Sequence, residues 1–185
     1  MKNKALWIIG GVIVLLGILI FTQYNGLVRA DLEVDTKWAE VENQLQRRAD
    51  LVPDLVKVAN RVAAHEKEVI DSVVSARAKL AGAKSAEDVI DANNQLDGAL
   101  SRLLVVMENY PDIKADQSFI RLMDEMAGTE NRIAVARKNY NDSVGSYNTK
   151  TRVLPSALFA KMMGFEARPF FEVPEENKVK PDYDI

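Results

Sequence analysis

The chain has 185 residues, with 24 Lys and Arg against 27 Asp and Glu, one histidine and no cysteine. That length holds one ordinary domain, and the slight acidity excludes the basic field that nucleic-acid binding needs. The missing thiols exclude a disulfide framework, a cysteine nucleophile, a lipid-attachment cysteine and a thiolate metal site.

In chain order, the first element is apolar. From Ala5 to Phe21 no side chain is charged, and the uncharged stretch continues to Val28 through Thr22, Gln23, Tyr24 and Asn25. At ~1.5 Å per residue this crosses a ~30 Å hydrocarbon layer. Trp7 and Tyr24 stand near its two ends, where amphipathic rings prefer the headgroup region. A cleaved leader is the rival, but the run is long and is followed by Thr-Gln-Tyr-Asn rather than a small-x-small site. Lys2 and Lys4 precede the span, while Arg29 and Lys37 follow it among Asp31, Glu33 and Asp35. The charge bias places residues 1–4 in the cytoplasm, a transmembrane anchor over 5–24, and the rest outside the cytoplasm. The lipid bilayer is thus the first expected partner.

Beyond the anchor, apolar residues recur at spacings of three and four, the signature of amphipathic helices. Trp38, Val41, Leu45 and Val52 form a stripe that Arg48 interrupts and that is expected to stop near Asp50 and Pro53. Leu55, Val58, Val62, Val69, Val73, Ala76 and Leu80 form a second, ending at Gly82. Ser85 and Asp88 read as a capping box that opens a third, Val89 to Met107, halted by Pro111. The fourth runs from Phe119 through Tyr140 and Tyr147 to Thr151, before Pro155. Nothing reads as a strand. The predicted fold is all-α: an N-terminal transmembrane helix, then an antiparallel four-helix bundle over 28–153. Residues 154–173 form a short helix and a Phe-rich segment that packs on the bundle or on the membrane surface, and 174–185 form a disordered tail. Alternating helix directions would gather Arg47–Pro53 and Asn109–Asp112 at the membrane-distal end, with Gly82 and everything after Pro155 at the proximal end.

The spaced motifs Arg47-Arg48-Ala49-Asp50-Leu51-Val52-Pro53, His65-Glu66-Lys67-Glu68, Ala76-Arg77, Asn109-Tyr110-Pro111, Gly128-Thr129-Glu130-Asn131-Arg132-Ile133, Tyr140-Asn141 with Tyr147-Asn148, Leu154-Pro155, Gly164-Phe165 and Phe170-Phe171 occur in order. Together they resemble the LemA family over about Tyr24 to Val173. Asp54 departs from the Asn that the family carries after this proline. The resemblance implies a single-pass bacterial membrane protein with a bromodomain-like four-helix bundle and no established enzymatic activity.

No residue set points to catalysis, a metal or a cofactor. His65-Glu66 opens like the zinc motif His-Glu-x-x-His, but position 69 is Val and no second histidine exists. A di-iron bundle needs Glu-x-x-His on two helices, which one histidine cannot supply. His65 reads as a boundary residue in an acidic patch, with a pH-sensing role as the sharper alternative.

The expectation is therefore a non-enzymatic interaction or scaffold module with an unidentified protein partner, homo-oligomerisation staying open. A ligand-sensing bundle is the alternative. Arg47, Arg48, Asp50 and Tyr110 at the distal tip are candidate partner-binding residues, the arginines alternatively bonding the open carbonyls of a helix end. Tyr140, Asn141, Tyr147 and Asn148 repeat at seven residues and form a polar stripe, either a binding face or a register-fixing seam. Candidate membrane-interface residues are Trp7, Tyr24, Phe159, Phe165, Phe170 and Phe171, the last four capping the bundle in the alternative reading.

Overall fold

A computed structural model describes residues 2–63 and 65–172. Among them are six helices and no strand: α1 Lys2–Val62, α2 Lys67–Gly82, α3 Ala86–Met107, α4 Pro111–Lys114, α5 Gln117–Arg152 and α6 Ser156–Met163. The disordered tail expected over 174–185 lies outside the described residues.

The main correction concerns α1. The sequence reading separates an anchor over 5–24 from a first bundle helix that stops at Asp50 and Pro53, whereas one 61-residue helix runs through both with Pro53 inside it. A proline in a helix interior deprives the carbonyl four residues earlier of its donor. Here that carbonyl belongs to Ala49, and the Arg77 side chain from α2 donates to it, Nε to O at 2.8 Å. A tertiary bond thus replaces the missing helical one, and the chain carries on to Val62. Asp50 is accordingly no cap; it sits on the exposed face and accepts from Gln46 Nε2 at 2.8 Å.

The return turn therefore falls between α1 and α2, and the expected grouping of Arg47–Pro53 with Asn109–Asp112 at one tip gives way to another. Arg61, at the end of α1, pairs with Asp116 before α5 at 3.6 Å. Asp116 also accepts the free N–H groups of Ser118 and Phe119, capping α5. Those bonds, the Ser118 amide first, hold its carboxyl below the ordinary carboxylate value.

Other stops fall as the sequence indicates. Ser85 and Asp88 form the reciprocal box, Asp88 N to Ser85 Oγ at 3.1 Å and Ser85 N to Asp88 Oδ2 at 3.3 Å. Pro111 occupies the first turn of α4, where no donor is lost. Gly164 closes α6 at φ 77°, a left-handed conformation that glycine takes without a Cβ penalty.

The chain packs as two compact units: residues up to Trp38 with Asn139–Phe170, and Ala39–Lys138 with the chain from Phe171. The second unit holds an apolar core drawn from α1 to α5. Val52, Leu55 and Val58 meet Ile70 and Val73, Leu96, Leu100 and Leu103, Ile113, and Phe119, Met123 and Met126. These are largely the residues of the predicted stripes. In the first unit, Leu27, Ala30 and Val34 of α1 and Tyr140, Val144 and Tyr147 of α5 are buried, all at helical spacing.

Candidate functional site

Arg48 occupies a core position of α1, and its side chain is fully buried. Its guanidinium donates to Asp97 Oδ1, to Asn93 Oδ1 and, at 3.0 Å, to Glu130 Oε2. Asn93 in turn donates to Asp97 Oδ2 at 3.1 Å, and Arg137 pairs with the other Glu130 oxygen at 3.4 Å. Two cations and two carboxylates from α1, α3 and α5 thus close on one another inside the second unit. Burial pushes the Asp97 carboxyl above its ordinary value, against the opposing pull of the Arg48 charge.

Arg48 is therefore neither a helix-end cation nor a docking residue, because no surface partner can reach it. Arg47 is the exposed member of the pair and bonds Glu125 of α5 at 3.2 Å. The sequence reading missed Asn93, Asp97 and Glu130, although a signal was there. Arg48 interrupts the first stripe at a core register, Asn93 stands three residues before core Leu96, and Glu130 falls between core Met126 and Ile133.

The polar repeat on α5 is engaged within the first unit. Tyr140 donates to the Pro169 carbonyl at 2.9 Å, and Asn148 pairs with both backbone groups of Arg168, each at 2.9 Å. The Arg168 guanidinium reaches back to α1, meeting Asp31 at 2.8 Å and Asp35 at 3.2 Å. Trp38 stacks obliquely on Tyr140, ring centres 5.1 Å apart. The extended segment after α6 is thereby strapped across α5 and α1. Burial raises the phenol pKa values of both Tyr140 and Tyr147, with Arg168 opposing at Tyr140 and Asp31 adding at Tyr147. Tyr140, Tyr147 and Asn148 are buried, so they serve as the register-fixing seam; Asn141 is half-buried. The seam's partner is an extended strap rather than a helix, which periodicity cannot reveal.

The remaining candidates scatter. Tyr110 is half-buried against the core of the second unit, and His65 is exposed in the α1–α2 turn. Trp7 stands 83% exposed and Tyr24 packs edge-on to Phe165 at 6.3 Å. Phe159 is half-buried and Phe170 exposed. Phe171 is 3% exposed, under the Arg137 guanidinium at 5.5 Å from its ring centre, so it faces protein and cannot contact lipid.

The described part of α1 includes an apolar stretch long enough to cross a membrane, and its window of mean hydropathy 2.1 has no residue buried in the protein. Several open grooves mark the second unit. One, of about 570 Å³, lies between α2 and α3 and is polar, with Ser72, Lys79, Asp91, Asn94 and Arg102 in its walls. Another, of about 550 Å³, lies between α1 and α5, floored by Leu51, Val58 and Leu122 and rimmed by Asp54, Lys57, Arg61, Arg121 and Glu125.

The family model described as the LemA family matches residues 37–184. Magnetosome protein MamQ 2 of Paramagnetospirillum magneticum is similar, 26% identical over 179 residues that cover 83% of this chain and 66% of the relative. Magnetosome protein MamQ of Magnetospirillum gryphiswaldense is 24% identical over 178 residues, 82% and 65% respectively. Protein LemA of Metamycoplasma hominis is 23% identical over 162 residues, 85% and 73%. The chain thus spans just under two thirds of the length of the magnetosome relatives it matches.

Proposed function

The chain belongs to the LemA family, and from that premise we propose that it works as a non-enzymatic interaction module, held in the bacterial cell envelope by α1. The observation that carries this reading is the run Trp7–Phe21, whose large apolar side chains are exposed within a helix that continues into a folded body. Water does not tolerate such a run, whereas hydrocarbon does. Lys2 and Lys4 ahead of it favour an amino terminus in the cytoplasm with the folded part outside.

An interaction role fits the chemistry of the interior. Arg48, Asp97, Glu130 and Arg137 are spent on one another, and the seam of Tyr140 and Asn148 is spent on the strap, so these groups hold structure rather than a reacting substrate. The surface that suits a protein partner is the α1–α5 groove, whose apolar floor and rim of both charge signs match an amphipathic helix with charged edges.

Photo-crosslinkers at Arg47 and Arg121, in cells, test this. Adducts to one defined protein, lost when Leu122→Glu charges the groove floor, support the reading; the absence of adducts from either position contradicts it. The polar α2–α3 groove favours a second reading, a sensor of a small polar metabolite, which a thermal-shift screen on the full chain in detergent would reveal.

A further inference from the structure

The segment after α5 leaves large apolar side chains uncovered. Leu154, Leu158 and Met162 are 68%, 62% and 81% exposed. Leu158 and Met162 fall four residues apart and so line one face of α6, and Leu154 lies exposed in the turn just before it. Val153 and Met163 are also exposed, while Ala160 is turned inward and buried. Arg152 and Lys161 stand exposed at the two ends of this segment. Single apolar side chains are ordinary on a protein surface, but a row of them with basic ends marks a contact.

Where this row sits says what covers it. Ser156, the first residue of α6, donates to the Lys150 carbonyl at 2.7 Å, and Lys150 Nζ donates to the Gly26 carbonyl of α1 at 3.4 Å. Phe165, just after α6, packs on Tyr24. Tyr24 and Gly26 lie three and five residues past Phe21, where the exposed apolar run ends, so roughly 5–8 Å further along the helix. The headgroup layers add about 10–15 Å over both faces of the hydrocarbon. Both ends of α6 are therefore tied to α1 at headgroup depth.

We propose that α6, with Leu154, is an interfacial helix lying in the same bilayer that α1 enters. Leu158 and Met162 reach the acyl boundary, and Arg152 and Lys161 meet lipid phosphates. The inference rests on the anchor reading of α1 and adds a second lipid contact to it. A lone span tilts freely, whereas a second contact fixes tilt and rotation. The strap of residues 165–170, which Tyr140 and Asn148 hold, would then be set at a defined height above the lipid.

Because the chain has no cysteine, single probes can be placed without background. The full chain carrying Val14→Cys, Leu158→Cys, Met162→Cys or Asn60→Cys is labelled with a fluorophore and reconstituted in phosphatidylcholine–phosphatidylglycerol vesicles containing nitroxide lipids. Deep nitroxides should quench the probe at position 14. Shallow nitroxides should quench those at 158 and 162 at least about twofold more than the aqueous control at 60. Quenching at 14 with positions 158 and 162 at the level of 60 overturns the inference and leaves the anchor standing. An unquenched position 14 removes the anchor and the inference with it. Shielding of 158 and 162 without quenching, rising with the protein-to-lipid ratio, would mean that a second copy covers the face, and overturns the inference as well.

Discussion

Arg48→Met is the sharpest perturbation the interior offers. Methionine keeps the length and apolar bulk of the side chain but removes the charge that Asp97 and Glu130 share, leaving carboxylates only 10% and 7% exposed. Two charge-assisted bonds at ~1.5–3 kcal/mol each give ~3–6 kcal/mol, in line with the ~3–5 kcal/mol that breaking a buried ion pair costs. At about 4 °C per kcal/mol for a folded part of this size, Tm should fall by about 12–20 °C. The assay is thermal unfolding of the full chain in detergent, followed by circular dichroism.

The pH dependence has a defined sign. The Asp97 carboxyl lies above its ordinary value of 3.8, so between 3.8 and its folded value the native state binds more protons than the unfolded one. Stability from this group is therefore complete below 3.8 and falls as pH rises through that window. Removing Arg48 takes away the charge that opposes the shift, so the variant's deficit should shrink as the pH is lowered toward 4. Adding Asp97→Asn to Arg48→Met should recover about half of the loss, since Glu130 keeps Arg137 and no buried charge then lacks a partner. A fall in Tm below about 4 °C, or a deficit independent of pH, would refute the reasoning.

Arg77→Ala should cost about 1–3 kcal/mol in denaturant titration, because the Ala49 carbonyl opposite Pro53 loses its donor. Adding Pro53→Ala should restore most of it by returning the helical N–H. Ser85→Ala removes the cap of α3 and should cost about 1 kcal/mol. Asn148→Ala should speed amide exchange at Arg168, whose N–H bonds the Asn148 side chain, while amides in the core of the second unit keep their protection. Unchanged exchange at Arg168 would mean that the strap is held without that amide.

How much the sequence revealed depended on whether a feature was local. Helix identity, the Ser85 box, the Gly82 stop and most of the core stripes follow from spacing and turn chemistry, and these were legible. Pro53 misled because its local preference was overridden by Arg77, a residue 24 positions later whose bond to Ala49 no periodicity reports. That one override moved the return turn from residues 50–53 to the connection between α1 and α2 and took Arg48 from a supposed tip into the interior. The same displacement explains the partner-binding candidates. Tyr140, Tyr147 and Asn148 stand out as polar groups at ordered spacing, and the order reflects burial in an internal seam, with Tyr140 and Asn148 bonded to the strap. Phe171 was grouped with Phe170 by adjacency, yet successive residues of an extended segment point opposite ways, one outward and one into the core.

That α1 spans a membrane is tested most directly by alkaline carbonate extraction of membranes from cells expressing the full chain. The chain should stay in the membrane pellet at high pH and enter the supernatant only with detergent, while a variant carrying Val14→Arg and Ile18→Arg should be released. Release of the unaltered chain by carbonate alone would contradict the claim.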